Sequence, residues 1–162
     1  MKPKICLIDI VNEQDIVVGH ASEEEVREKN LLHHSIHLVI VDSHKRLFCA
    51  HRIVGRPIYS GWWTIPGAHI RSGETYEKTA VRFLKELKIH GSFKQLQKIR
   101  VKDGFENEWS MLYLLKSDIP PFLHHEKFQE GKFLSLSQIC VLSEKEKMTP
   151  YLLAALEFVS QK

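Results

Sequence analysis

The sequence predicts an α+β domain, a mixed β-sheet with helices packed on its faces. Three features carry that expectation. β-branched apolar runs of strand length fill the chain up to Ile65, one apolar stripe at helical spacing follows Thr75, and the order then repeats as strands and a closing helix. Residues 1–162 read as one domain, since no repeat, linker or low-complexity block divides them. A chain of this length buries roughly 70% of its unfolded surface and can be held together by its core alone.

Residues 5–11 are apolar and β-branched, Asn12-Glu13-Gln14-Asp15 reads as a turn, and Ile16-Val17-Val18 returns, so 5–19 is a hairpin. Ser22-Glu23-Glu24-Glu25 is a capping-box pattern that opens a short helix to about Lys29. Residues 35–42 and 46–52 read as two strands joined by a polar turn. Between Gly55 and Gly73, four glycines and two prolines predict a loop with one short strand, 62–65. Tyr76, Ala80, Phe83, Leu84 and Leu87 then fall on one face of a helix that stops near Ile89. Residues 93–102 and 109–116 flank Asp103-Gly104 and read as two more strands. Ile119-Pro120-Pro121 breaks the chain, 132–134 is a short strand and 135–142 is helical. Thr149-Pro150 sets a proline at the first position of the last helix.

Composition narrows the function. Lys and Arg number 23 against 20 Asp and Glu, a surplus too small and too scattered for a nucleic-acid polymer or a membrane surface. No stretch approaches the about 20 apolar residues of a membrane span, and the first residues lack the pattern of a signal peptide. Cys6, Cys49 and Cys140 form no CxxC and read as reduced, buried, structural thiols, which fits a cytoplasmic protein.

The segment from Pro66 to Thr75 carries the chemistry, running into a helix through Arg82-Phe83-Leu84-Lys85-Glu86-Leu87. A glycine-bearing loop that opens a helix gathers N–H groups at the positive end of its dipole, suited to an anion. Glu86 lies one turn beyond Arg82 on the same face. Glu106 and Glu108 stand two apart at the start of a strand, so their carboxylates share a side. Held together they repel unless a cation or proton lies between them, which marks the pair as a metal clamp or a general base.

Residues 66–89 resemble the signature of the Nudix hydrolases, G-x5-E-x7-R-E-U-x-E-E-x-G-U with U aliphatic. Ala68 takes the first glycine position, Glu74 follows at the five-residue gap, and Arg82, Leu84 and Glu86 take the arginine, aliphatic and first paired-glutamate positions. Similar residues recur at Leu31-Leu32-His33-His34-Ser35-Ile36, His51-Arg52, Trp62-Trp63-Thr64 and Gly131-Lys132-Phe133-Leu134-Ser135, so the resemblance covers nearly the whole chain. It implies an α/β/α sandwich around a mixed sheet, and a metal-dependent hydrolase of a diphosphate bond linked to a small organic moiety. It further implies Glu86, Glu106 and Glu108 as catalytic, metal-holding acids for Mg²⁺ or Mn²⁺, with Glu74 and Arg82 bracing the loop. The signature is degenerate: Phe83 and Leu87 stand where two more glutamates are expected, and the helix closes Leu87-Lys88-Ile89 in place of its glycine ending.

A second resemblance is to the isopentenyl-diphosphate isomerases, which share the Nudix fold and bind metal through histidines and a Glu-x-Glu pair. His33, His69, Glu106 and Glu108 match four of those ligand positions, and imidazole suits Mn²⁺ or Zn²⁺ better than Mg²⁺. The reactive cysteine of that subfamily is Gly67 here, which argues against isomerase chemistry.

Arg52, Arg56 and Arg71 are expected to face the substrate, with Trp62 or Trp63 stacking on a nucleobase unless they belong to the core. Lys98, Arg100 and Lys102 alternate along a strand and offer one basic side. His34, His37, His44, His90, His124 and His125 read as ordinary. The expected partner is a small diphosphate-containing substrate, and the expected assembly is a monomer or homodimer. The alternative is a catalytically silent Nudix fold that binds a nucleotide or a protein partner, supported by Phe83 and Leu87.

Overall fold

The computed structural model describes residues 6–160, in which nine strands join one mixed sheet with four helices around it. β1 (Leu7–Val11) and β2 (Val17–Ser22) form the expected hairpin, with β2 running past Val18 to Ser22. Ile5 lies outside the described residues. α1 (Glu23–Lys29) opens on Ser22, whose hydroxyl accepts the Glu25 N–H, and closes on Asn30 in the left-handed region.

β3 (His33–Val41) is the hub of the sheet. β8 (Asn107–Lys116) runs parallel to it along its full length, and β7 (Phe93–Lys102) pairs antiparallel to β8. The other edge of β3 pairs with β1 at Ile10, with β6 (Gly67–His69), and with β4 (Leu47–Arg52) at the hairpin end. β4 in turn holds β5 (Trp63–Thr64) and β9 (Phe128–Leu134).

β3 and β8 each begin two residues ahead of the expected 35 and 109, and three further differences have a local cause. The glycine-rich loop contains β6, because Gly67, Ala68 and His69 pair with His37, Ile36 and Ser35. β9 begins at Phe128, ahead of 132, because β4 offers an antiparallel edge over its whole length. α2 (Tyr76–Glu86) ends before Ile89, and Lys88 then turns into the left-handed region at φ 56°. Its start is as expected, with the Thr75 hydroxyl accepting the Lys78 N–H, a cap worth about 1 kcal/mol.

The period of two along each strand divides the core. Ile36, Leu38 and Ile40 of β3 pack with Met111, Tyr113 and Leu115 of β8 against Ala80, Phe83, Leu84 and Leu87. Phe83 and Leu87 are therefore core residues of the helix. Val39 and Leu112 face the other layer, where α3 (Leu136–Ser143) and α4 (Pro150–Ser160) supply Ile139, Tyr151, Leu152 and Ala155. The same alternation puts His33, Ser35 and His37 of β3 on one face with Glu108 and Ser110 of β8, on the side of α4.

The cysteine expectation needs correction. Cys49 is buried, but Cys6 and Cys140 are exposed; Cys140 sits beside Ile139, the residue that turns inward from α3. Among the described residues, no helix is long and apolar enough to cross a membrane.

Candidate metal and anion site

The parallel register sets His33 beside Glu108 and Ser35 beside Ser110. Glu106 arrives from the turn before β8, and His69 from the end of β6, opposite Ser35. Each of His33, His69, Glu106 and Glu108 offers one potential ligand atom, and these four atoms lie within 4.8 Å of one another.

Hydrogen bonding fixes how they point. His33 Nδ1 lies 2.9 Å from the Leu31 carbonyl, so it donates there and turns Nε2 toward the acids. That Nε2 is 2.9 Å from Glu108 Oε2 and 3.4 Å from Glu106 Oε2. Close as they are, neither Nε2 nor Glu108 Oε2 has an aligned hydrogen-bond partner; both are sealed and aimed at shared space. The other oxygen of Glu108 is tied down, accepting from Ser35 Oγ at 2.8 Å and from the Tyr151 hydroxyl.

Electrostatics agree with that convergence. Burial disfavours a charged His33, but the two carboxylates outweigh it and raise its pKa to about 10. Burial, then the charge of Glu108, pushes Glu106 up to about 7. Burial also opposes charge on Glu108, yet His33 beside it holds that carboxyl well below the usual range. His69 is pushed down by desolvation and by His33. Positive charge on His33 is thus favoured between two acids, the place a cation would take. Two imidazole nitrogens and two carboxylate oxygens, with His33 held by the Leu31 carbonyl and Glu108 by Ser35 and Tyr151, fit a divalent ion of Mn²⁺ type.

A cavity of about 380 Å³ opens beside the cluster, and Arg52, Arg56, Arg71, His69, Glu106 and Lys127 are among its walls. Arg52 Nε donates to the Ile58 carbonyl at 2.9 Å. Burial, then the like charge of Arg56, lowers the Arg52 pKa. Arg56 Nε is buried without a partner. Two neighbouring guanidiniums, one with an unused buried donor, call for an anion.

The remaining predicted residues divide. Glu86 lines the cavity but does not join the four-residue cluster. It is 46% exposed and accepts from Arg82 Nη1 at 2.9 Å, with Arg71 Nη2 at 3.8 Å. The expected convergence of Glu86 with Glu106 and Glu108 is thus not found, because two arginines already hold its carboxylate. Arg82 also grips Glu74 through Nε and Nη2, both at 2.9 Å, and the His69 carbonyl at 3.1 Å, pinning loop to helix. Trp62 does not line the cavity; it packs on Tyr59 and Phe105. The basic side of β7 is occupied, since Lys98 pairs with Asp15 and Arg100 with Glu13 of the hairpin.

Sequence reasoning missed Ser35, His37, Ser110 and Tyr151 around the cluster. For the first three a signal existed: polar residues at 33, 35 and 37, and at 108 and 110, break two apolar strands on one face. Tyr151 carried none, since only the packing of α4 brings it to Glu108. His37 also accounts for Gly67: a Cβ there would sit 2.3 Å from His37 Nε2.

A family model described as NUDIX domain matches residues 31–155. An uncharacterized Nudix hydrolase of Pseudomonas aeruginosa is 27% identical over 137 residues, 79% of this chain and 78% of its own. Isopentenyl-diphosphate Delta-isomerase 2 of Aromatoleum aromaticum is 26% identical over 156 residues, 92% of this chain and 81% of its own. A crystal structure from Deinococcus radiodurans superposes with a TM-score of 0.73 at 21% identity, over 96% of this chain and 98% of that one. The matched span runs from the strand that carries His33 to the helix that carries Tyr151, so it takes in the whole cluster and most of the core: the chain belongs to the Nudix family.

Proposed function

We propose that this protein is a metal-dependent Nudix hydrolase that cleaves a diphosphate bond linked to a small organic moiety. The observation that carries this reading is the convergence of His33, His69, Glu106 and Glu108 beside a cavity walled by Arg52 and Arg56. Those four residues would hold Mn²⁺ or Mg²⁺, with the imidazoles favouring Mn²⁺. Such an ion supplies charge neutralisation on the phosphate oxygens and a more acidic water.

The chain's own groups do the rest. Arg52 and Arg56 bind the diphosphate, with Arg71 at the cavity rim. Water adds to phosphorus, the bridging P–O bond breaks, and Glu106, the more accessible of the two acids, receives the proton that the leaving oxygen later takes. Glu108 is anchored by Ser35 and Tyr151 and serves as a fixed ligand. Glu86 is assigned to holding Arg71 and Arg82, and Trp62 receives no substrate role. Gly67 leaves the loop without the thiol that isomerase chemistry needs, and the His37 ring fills the space a side chain there would occupy.

The test is turnover of a panel of nucleoside diphosphates, triphosphates and sugar nucleotides with Mg²⁺ and then Mn²⁺. Metal-dependent phosphate release that falls at least about a hundredfold in Glu108→Gln supports the hydrolase. No turnover, with a ligand that still raises the melting temperature, supports a binding module.

A further inference from the structure

Three of the four cluster residues stand on strands, where sheet pairing sets their direction. Glu106 does not: it precedes β8, in the turn 103–106 that joins β7 to β8. One carboxylate organises that turn. Asp103 Oδ1 accepts from the Phe105 and Glu106 N–H groups, both at 2.8 Å, and the Asp103 N–H donates to the Glu106 carbonyl at 3.0 Å. Asp103 therefore fixes both backbone polar groups of Glu106.

Asp103 is held in its turn. Its other oxygen, Oδ2, accepts from the Tyr59 hydroxyl at 2.5 Å. Tyr59 is 2% exposed and has φ 49°, in the left-handed region that a bulky side chain rarely occupies. Such a backbone persists only where its surroundings over-determine it. Here the Tyr59 ring lies against Phe105, Trp62 and Tyr151, with centroids 4.8, 5.0 and 6.3 Å away. Two tyrosines in ring contact anchor the two acids, Tyr151 by bonding Glu108 and Tyr59 through Asp103.

We propose that Asp103, held by Tyr59, is the positioning residue that aims Glu106 into the metal cluster. The effect on metal rests on the four-residue site proposed above; the hold on the turn does not. Asp103 is not one of the four converging residues, and it acts through an acceptor oxygen that asparagine also carries. Positioning and charge can therefore be told apart. A partner bonded directly to a metal ligand is worth about ten- to a hundredfold in affinity, and Asp103 works through the backbone, so the lower end is expected.

Solvent-exchange NMR on the metal-free protein reads the turn. Asp103→Ala is expected to speed exchange of the Glu106 amide by at least about tenfold, and Asp103→Asn to leave it within about threefold of the wild type. An unchanged rate in Asp103→Ala overturns the hold on the turn.

Calorimetry with Mn²⁺ then reads the site. Asp103→Ala is expected to bind about tenfold more weakly, Asp103→Asn to stay within about threefold of the wild type, and Tyr59→Phe to fall between them. In a Glu106→Gln background, Asp103→Ala is expected to change affinity by less than about twofold, because no carboxylate is left to aim. Unchanged affinity in Asp103→Ala, an equal loss in Asp103→Asn, or a full loss that persists beside Glu106→Gln overturns the positioning role alone. Absence of Mn²⁺ binding by the wild type overturns it together with the metal site, while the exchange result stands apart.

Discussion

Glu86 and Glu108 both border one cavity, but their surroundings differ. Glu86 sits on the last turn of α2, half exposed, with Arg82 and Arg71 beside it. Glu108 sits at the start of β8, 2% exposed, with a second acid and an imidazole facing its carboxylate, which among the described residues pairs with no arginine or lysine. A surface carboxylate already neutralised by arginines has little to gain from a metal ion. A buried pair of acids that face a single imidazole has much to gain, because burial strengthens every charge interaction and penalises an unmatched one. The Nudix signature alone would have favoured the helix. Burial and partners favour the sheet.

That contrast can be broken by substitution. Glu108→Gln is expected to weaken Mn²⁺ binding by at least about a hundredfold, or about 2.7 kcal/mol, read by calorimetry. A fall of less than threefold would equate it with Glu86 and end the contrast. Gly67→Ala comes next. The new methyl meets a ring held by Ser110 and Tyr151, so the expected cost is about 1 to 3 kcal/mol of stability in urea unfolding. An unchanged midpoint would mean that the His37 ring moves freely.

The helix side yields smaller effects. Burial opposes charge on Glu74, but Arg82 and the Arg71 N–H outweigh it and hold the carboxyl below its ordinary value. Its stabilisation is therefore complete above the ordinary carboxylate pKa and is lost as pH falls through the lower folded one. Glu74→Gln should lower stability at pH 7 by about 1 to 2 kcal/mol and flatten its fall in acid, followed by melting temperature from pH 7 to 3. An equally steep acid fall in the variant would contradict this. Glu86→Gln is expected to change stability by less than about 1 kcal/mol and to leave Mn²⁺ affinity within twofold.

How far the sequence revealed this follows from the range of each interaction. The α2 stripe, the capping serine and threonine, and the Glu74–Arg82 brace were legible because local periodicity and spacing specify them. His33, His69, Glu106 and Glu108 were legible as a set through family spacing. β6 was not, since its three residues become a strand only by pairing with β3. Glu86 does not join the β8 acids: its i,i+4 spacing to Arg82 was legible, but the approach of Arg71 from the loop was not. Tyr151 was missed because it meets Glu108 across a large stretch of chain, where helix packing decides.

The most direct measurement is anomalous diffraction from a crystal soaked in Mn²⁺. One strong peak is expected within coordination distance of His33, His69, Glu106 and Glu108, with Glu86 still paired to Arg82. A peak bound to Glu86 on α2, with the sheet cluster empty, would contradict it.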